Sequence, residues 1–257
     1  MSIQFNPADN LISVLLLQQQ QVNTLTGALD IFWLKKTYQA IPYLIQHDSN
    51  TIGYFFINEQ KSLLEFFITN EYLFLSETVF KQLLDKKLAK EAYLSTRNPR
   101  LLSLCLDYAV KTTPAAYLFY DLLHISKQSL PYQLILATQD DTDWLNSYER
   151  SPSEIIKHID EKTLFILSDQ NNTRVGIGKI SINPLQTEYS DVGAWVKPNH
   201  RNKGLGTCII NQLKTICYQR KVIPTCGCDI DNLTSKRMLE KAGFYANDRI
   251  LKVSFKF

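Results

Sequence analysis

The residues best placed to do chemistry stand together at His200-Arg201-Asn202-Lys203-Gly204-Leu205-Gly206-Thr207, between a strand-like run and a long amphipathic stretch. Glycine at 204 and 206 lets the backbone turn without a Cβ penalty and come close to a ligand. The first amides of a helix lack internal partners and carry the positive end of its dipole, so a helix starting here is a seat for a phosphate or pyrophosphate. Arg201 and Lys203 add full charges beside it. His200 could add another, although a solvated loop histidine is the plainer reading. Two common nucleotide motifs are absent. A Walker loop needs a lysine after its last glycine, and Gly206 is followed directly by Thr207. A dinucleotide fingerprint needs a third glycine where Ile209 stands. Taken alone, the two glycines favour the blander reading of a loop whose glycines serve only helix packing.

The surrounding pattern must position this loop. Residues 9–38 read as helical, with Asp9 or Asn10 as N-cap and Gly27 dividing two segments. Residues 40–47, 51–58 and 62–69 are short aromatic and β-branched runs, a three-stranded meander. A helix over 78–86 with Ser76 as cap, a strand over 89–95, a helix from Pro99 to Val110 and a strand over 115–125 follow. Gln128-Ser129-Leu130-Pro131 is the best linker. Beyond it come a strand over 132–138, helices over 140–148 and 152–161 (the second capped by Ser151), and a hairpin of 163–168 with 174–182. A strand over 189–196 then leads into the glycine loop and a helix through Tyr218, striped by Leu205, Ile209, Leu213 and Ile216. A strand over 222–229, a helix over 233–242 and a strand over 244–255 finish the chain. Hairpin, third strand, helix, strand, helix, strand thus occurs twice, with Asn50-Thr51-Ile52-Gly53 answering Asn172-Thr173-Arg174-Val175-Gly176 and Asn98 answering Asn232. Self-similarity over so long a period predicts a duplicated unit.

Composition sets outer bounds. In 257 residues, 45% are hydrophobic and 21% charged, which is globular usage and excludes a disordered or fibrous chain. A net charge of +3 is too mild to argue for a nucleic-acid partner. The apolar run from Leu11 to Leu17 is too short for a bilayer and has no basic flank, so neither a membrane anchor nor a signal peptide is expected. Cys105, Cys208, Cys217, Cys226 and Cys228 are odd in number and scattered, which favours a reducing, cytoplasmic compartment over a disulfide framework. No cysteine or histidine pairs fall at zinc-finger spacing, and no metal is expected.

With these elements in place, Arg201-x-x-Gly204-x-Gly206 between a strand ending Trp195-Val196-Lys197-Pro198 and a long helix resembles the acyl-CoA signature of the GNAT N-acetyltransferase superfamily. Some 26 residues on, Asn232-Leu-Thr-Ser235-Lys-Arg-Met-Leu239-Glu240-Lys241-Ala-Gly243-Phe244 resembles that family's second signature. Both lie within 131–257, which is similar to a GNAT N-acetyltransferase domain. Residues 1–130 resemble the same fold by pattern, as a degenerate unit without the CoA loop. The expected fold is α/β: tandem GNAT-like units, each a mixed, mostly antiparallel sheet flanked by helices.

The resemblance implies that acetyl-CoA is the co-substrate, lying where the third and fourth main strands of the second half part. Backbone groups of Trp195 and Val196 would pair with the pantetheine arm. The loop of Arg201, Asn202, Lys203, Gly204, Leu205, Gly206 and Thr207 would hold the pyrophosphate, and Asn232 and Ser235 would sit near the thioester. The implied reaction is direct acetyl transfer to a primary amine. An amine with pKa about 10.4 is only about one part in a thousand neutral at pH 7.4, so a general base is expected. Asp191 in the third strand and Glu188 at its entrance are the candidates, and a surface carboxylate is the plainer reading of each. Many family members carry Tyr before the Glu-Lys pair as the acid for the thiolate; here that residue is Leu239. Tyr245 could substitute only if its side chain turned toward the notch; otherwise the acid is water, Ser235 or none at all. The pairs Phe55-Phe56 and Phe66-Phe67 could line an acceptor cleft, but adjacent strand residues more simply feed two cores. A non-catalytic acyl-CoA-binding or regulatory module is the rival class. Neither the acceptor's identity nor an oligomeric state is encoded legibly.

Overall fold

The computed structural model describes residues 2–124, 130–147 and 152–256. Ile125, Gln128, Ser129, Tyr148 and the cap expected at Ser151 lie outside the described residues. The chain begins with β1 (Ile3–Pro7), α1 (Ile12–Val22), α2 (Ile31–Thr37), β2 (Ile41–His47), β3 (Asn50–Ile57) and β4 (Ser62–Ile68). A 3-10 turn over Asn70–Leu75 precedes α3 (Ser76–Asp85), β5 (Glu91–Ser95), α4 (Pro99–Asp107) and β6 (Ala109–Asp121). Next come β7 (Tyr132–Leu136), α5 (Thr142–Asn146), α6 (Pro152–Asp160), β8 (Leu164–Asp169), β9 (Arg174–Ile182) and β10 (Tyr189–Val196). The chain closes with α7 (Leu205–Gln219), β11 (Ile223–Asp229), α8 (Leu233–Lys241) and β12 (Phe244–Phe255). No helix among the described residues is long and apolar enough to cross a membrane.

Contacts divide the chain into two compact units. The first holds Met1–Leu118, Gly227–Asp231 and Asn247–Phe257; the second holds Phe119–Cys226 and Asn232–Ala246. In the first, β1 through β4 form an antiparallel meander, β5 joins β4 in parallel, and β12 runs antiparallel to β5 from Ile250↔Ser95 to Ser254↔Glu91. The chain's last strand therefore completes the first unit's sheet. Its alternation explains why: Val253 and Phe255 point into the same core as Phe55, Phe66, Phe80 and Leu83. In the second unit, β7 through β10 are antiparallel and β11 joins β10 in parallel.

The repeat seen in the sequence is physical. Gly53 lies so close to β4 that a Cβ there would stand 2.1 Å from the Phe67 carbonyl oxygen. Gly176 holds the same place in the second unit, where a Cβ would stand 2.8 Å from the carbonyl oxygen of Trp195. Asn98 and Asn232 each cap the helix that follows, accepting from Leu101 N at 3.1 Å and from Ser235 N at 3.0 Å. The phenylalanine pairs feed two cores, Phe55 and Phe66 on one face and Phe56 and Phe67 on the other. Val79, Phe80 and Leu83 of α3 are fully buried, and each large apolar side chain so placed contributes roughly 1.5–3 kcal/mol.

Some expectations need correction. The strand β1 was not expected from the sequence. Residues 23–30 are non-helical, and Asp30 Oδ1 caps α2 by accepting Trp33 N at 2.9 Å. Ser76 opens α3 without capping it. The helix from Pro99 stops at Asp107, because Val110, Thr112 and Thr113 favour the pleated strand that starts at Ala109.

Candidate acyl-donor site of the second unit

Strand β10 is paired with β9 along its edge from Ser190↔Ile182 to Val196↔Gly176. With β11 it pairs only at Tyr189↔Ile223, Ser190↔Pro224 and Asp191↔Thr225. After Asp191 the two parallel strands part, and Gly176, paired with Val196, lets the Trp195 carbonyl of β10 come close to β9. The same short pairing recurs in the first unit, where β4 and β5 meet only at Ser62↔Glu91 and Leu63↔Ala92.

The loop at the open end of β10 turns sharply into α7. Asn202 and Gly204 take φ of 61° and 78°, and the second value is left-handed geometry that suits glycine. Gly204 is the N-cap of α7 and supplies no side chain, so the first amides there carry no side-chain cap. Arg201, Asn202 and Lys203 are exposed. Arg201 also folds back, its Nε donating to the Val196 carbonyl at 3.0 Å, which ties loop to strand end. Gly206 has a different task from Gly204: a Cβ there would meet Met238 Cγ at 3.0 Å, so the residue lets α7 approach α8. Leu205 and Thr207 are buried and can offer only backbone to a ligand. A strand that parts from its neighbour, followed by uncapped amides and two exposed cations, fits an elongated ligand with a phosphate-rich end.

Alternation along β10 puts Asp191, Gly193 and Trp195 on one face. The Trp195 ring packs on the cluster of Leu145, Ile155, Ile159 and Ile166, so the side chain is directed into that core. A Cβ on Gly193 would meet nothing within 4 Å among the described residues, which leaves open space beside half-buried Asp191. Glu188 is not brought there. It is exposed at the closed end of the pair, its carbonyl accepting Ile223 N at 2.8 Å. At about 3.3 Å per residue it lies roughly 26 Å along the strand from Val196.

Asn232 Oδ1 is engaged in capping α8, with half-buried Ser235 in that helix's first turn. Leu239 is buried in α8, so no hydroxyl stands at that position. Tyr245 is 43% exposed and stacks on Tyr120 at 5.5 Å. His200 is half-buried with Nδ1 lacking a hydrogen-bond partner, not the solvated loop histidine expected. Cys226 is buried, all five cysteines are unbridged, and no group of three or more metal-ligating side chains occurs among the described residues.

Sequence reasoning missed the buried ion pair behind this site. Lys214 of α7 is fully buried and pairs with Asp121 at 2.7 Å. Its Nζ also donates to the carbonyls of Ala242 at 2.9 Å and of His124, and lies 4.7 Å from the Phe244 ring centre. Tyr218 donates to the same Asp121, and burial together with that carboxylate pushes its phenol up. The sequence signal available was a lysine directly beside Leu213 of the apolar stripe.

Two family models match the chain: an acetyltransferase (GNAT) domain over residues 10–122 and the acetyltransferase (GNAT) family over 133–244. The chain belongs to the GNAT superfamily as a tandem of two such domains, each a mixed sheet flanked by helices. Among solved structures, an acetyltransferase of the GNAT family from Colwellia psychrerythraea matches with a TM-score of 0.91 at 17% identity, covering 98% of this chain and 100% of that one. A tandem GNAT protein from the clavulanic acid biosynthesis pathway matches at 0.60 and 13% identity, covering 98% of each chain. A GCN5-related N-acetyltransferase from Sphaerobacter thermophilus matches at 0.62 and 11% identity, covering 98% and 95%. At these identities the likeness is one of fold. A sequence search of the curated proteins finds no match.

Proposed function

We propose that the protein is an N-acetyltransferase that moves an acetyl group from acetyl-CoA to a primary amine by direct attack, using the site of the second unit. The observation that carries this reading is the parting of β10 from β11 after Asp191, at the foot of an uncapped α7 flanked by Arg201 and Lys203. Acetyl-CoA supplies the activated thioester. The amides of Gly204 to Thr207 bind the pyrophosphate with Arg201, Asn202 and Lys203, and backbone groups of Trp195 and Val196 orient the arm. An amide at the parted strand edge is placed to stabilise negative charge on the thioester oxygen. Asp191, beside the open space at Gly193, takes the ammonium proton directly or through water. Asn232 holds the start of α8 in place, which presents Ser235. One N–C bond forms and one C–S bond breaks; the nitrogen gives its first proton to Asp191 and its second, after attack, through solvent to the thiolate.

Calorimetric titration with CoA, together with thiol release on a mixed amine panel, tests this. Arg201→Ala with Lys203→Ala, both exposed, is expected to weaken CoA about tenfold or more, which is about 1.4 kcal/mol. Unchanged affinity with an intact circular dichroism spectrum overturns the binding site. One observation favours a second reading, a non-catalytic acyl-CoA module: the buried Leu239 where the family resemblance expects an acid. CoA binding without thiol release from any amine decides for it.

A further inference from the structure

The acyl-donor site makes no use of Lys179, which stands inside β9 between buried Gly178 and Ile180. Register fixes its surroundings. On one side it pairs with Leu164 of β8 and on the other with Gly193 of β10. Residues paired directly across a sheet point to the same face. That face also carries Ile166, Ile177 and Trp195, which pack on Leu145 of α5 and Ile155 and Ile159 of α6, and it carries Asp191. A lysine in such a row costs desolvation unless its charge meets water or a partner. Lys179 is half-buried, and the open space left by Gly193 lies directly beside it.

The duplication supplies an internal comparison. Three residues on from the corresponding glycines Gly53 and Gly176 stand Phe56 and Lys179. Phe56 pairs with Glu65 where Lys179 pairs with Gly193. In the first unit that place is closed, with Phe56 fully buried against Tyr54 and Phe67. In the second, the aromatic gives way to a lysine and the residue opposite it to a glycine. Packing alone has no use for this exchange, because it opens space and then sets a charge beside it.

Asp191 pairs with Ser181, so Lys179 and Asp191 are diagonal neighbours of opposite sign. Such positions lie about 7–8 Å apart, within reach of long side chains. A guest in the space over Gly193 therefore meets an acid at one end and a cation at the other. An ammonium suits Asp191, and an anionic group on the same guest suits Lys179. One positive charge matches a carboxylate, whereas a phosphate dianion would call for more. A diamine would set its far cation against Lys179. We propose that the acceptor amine carries a carboxylate, as an α-amino acid does, and that Lys179 is the residue that selects it. This rests on the acetyl-transfer reading above. The carboxylate takes no part in bond making, so the product is the N-acetyl acid.

The test measures thiol release by the full chain at saturating acetyl-CoA, with each common α-amino acid and, separately, with its carboxamide. The carboxamide carries the more readily deprotonated amine, so nucleophile supply works against the expected result. At least one acid is expected to exceed its carboxamide about tenfold or more in kcat/KM. Lys179→Met should lose that ratio, chiefly through KM. Lys179→Arg should keep it in part, and Lys179→Glu should turn it toward the carboxamides. CoA affinity within about twofold of the parent shows that the donor site of the Met variant is intact. Lys179→Gln carries the comparison if that variant fails to fold. Carboxamides turned over as well as the acids throughout, or an unaltered ratio in the folded Lys179 variants, overturns the proposal. Transfer confined to amines without a carboxylate overturns it too and leaves the acetyl-transfer reading standing. CoA bound with no thiol released from any amine overturns both.

Discussion

Replacing Glu65 with glutamine should abolish a pH-dependent loss of stability in the first unit. The carboxyl is buried in β4 with Gln18 and the Tyr54 hydroxyl as hydrogen-bond donors. Desolvation outweighs both and lifts it from an ordinary value of 4.5 to about 7. Between those values the folded state keeps a proton that the unfolded chain has released. Stability therefore falls as pH rises through that window, is fully present below about 4.5 and is flat above about 7. At 1.36 kcal/mol per pH unit, the full loss by pH 8 is roughly 3 kcal/mol. Other groups titrate around it. Asp30 is raised in the same sense by burial, Tyr38 is pushed up to about 12 by burial and by Glu65, and Tyr54 lies well above its ordinary value. All are shared by parent and variant, so the difference between the two isolates Glu65. The assay is urea unfolding at pH 5, 6, 7 and 8, with hydrogen exchange of β3 and β4 amides reporting the first unit. The parent should lose stability across this range while Glu65→Gln holds level apart from the shared titrations, and the two should diverge most at pH 8. Parallel curves would refute the assignment, because a carboxyl already charged at pH 5 gives no such difference.

Four further outcomes are expected. Lys214→Met leaves Asp121 buried without its cation and should cost about 3–5 kcal/mol by calorimetric melting, partly recovered by adding Asp121→Leu. Gly53→Ala drives a Cβ to 2.1 Å from the Phe67 carbonyl oxygen and should destabilise by about 3 kcal/mol or prevent folding, whereas Gly193→Ala, facing open space, should melt with the parent. Gly193→Leu should fill the space beside Asp191, lowering kcat/KM for an amine about tenfold or more with CoA affinity within about twofold; a matching loss of CoA affinity would place the acceptor elsewhere. Tyr245→Phe should leave turnover within a few-fold, since the ring stacks on Tyr120; a loss of about 100-fold would make it the acid.

Most elements of both units were legible because the chain's apolar periodicities are clean. β9, β10 and β12 run over the residues that alternation marked, 174–182, 189–196 and 244–255. Local capping and turn chemistry read equally well, as at Asn98, Asn232 and Gly204. Partnership was not legible. Nothing within Asn247–Phe255 says that its ladder lies with β5, because a strand's pattern records which faces are buried and not which strand buries them. Lys214 and Glu65 failed for a related reason: a charged residue reads as solvent-facing unless its buried partner, at Asp121 or Gln18, is already known. At the proposed acyl-donor site the turn at Gly204 was readable from residue types alone, whereas the different surroundings of Glu188 and Asp191 emerged only once the strands were seen to part after Asp191.

The two units carry one scaffold with the charge at corresponding places reversed. In the second, α7 has no acid in its first turn and no side-chain cap, and Arg201 and Lys203 precede it. In the first, the 3-10 turn carries Glu71 and α3 carries Glu77 in its first turn, so acids already satisfy the helix dipole where a pyrophosphate would need it. Asn70 is also held by Arg100 Nη1 at 3.0 Å, which draws the nearest cation of α4 onto the turn. The inverse holds one layer deeper. Phe67 is to Gly53 as Trp195 is to Gly176, so Glu65 occupies the place of Gly193. Where the second unit is open beside Asp191, the first projects a buried carboxyl into a cavity with Asp30. A fold that parts its third and fourth strands creates a recess in each copy, and the side chains there differ between the two. Cations before an uncapped helix suit an acyl-CoA in the second unit. Acids at the helix start leave the first unit without a comparable seat for a pyrophosphate.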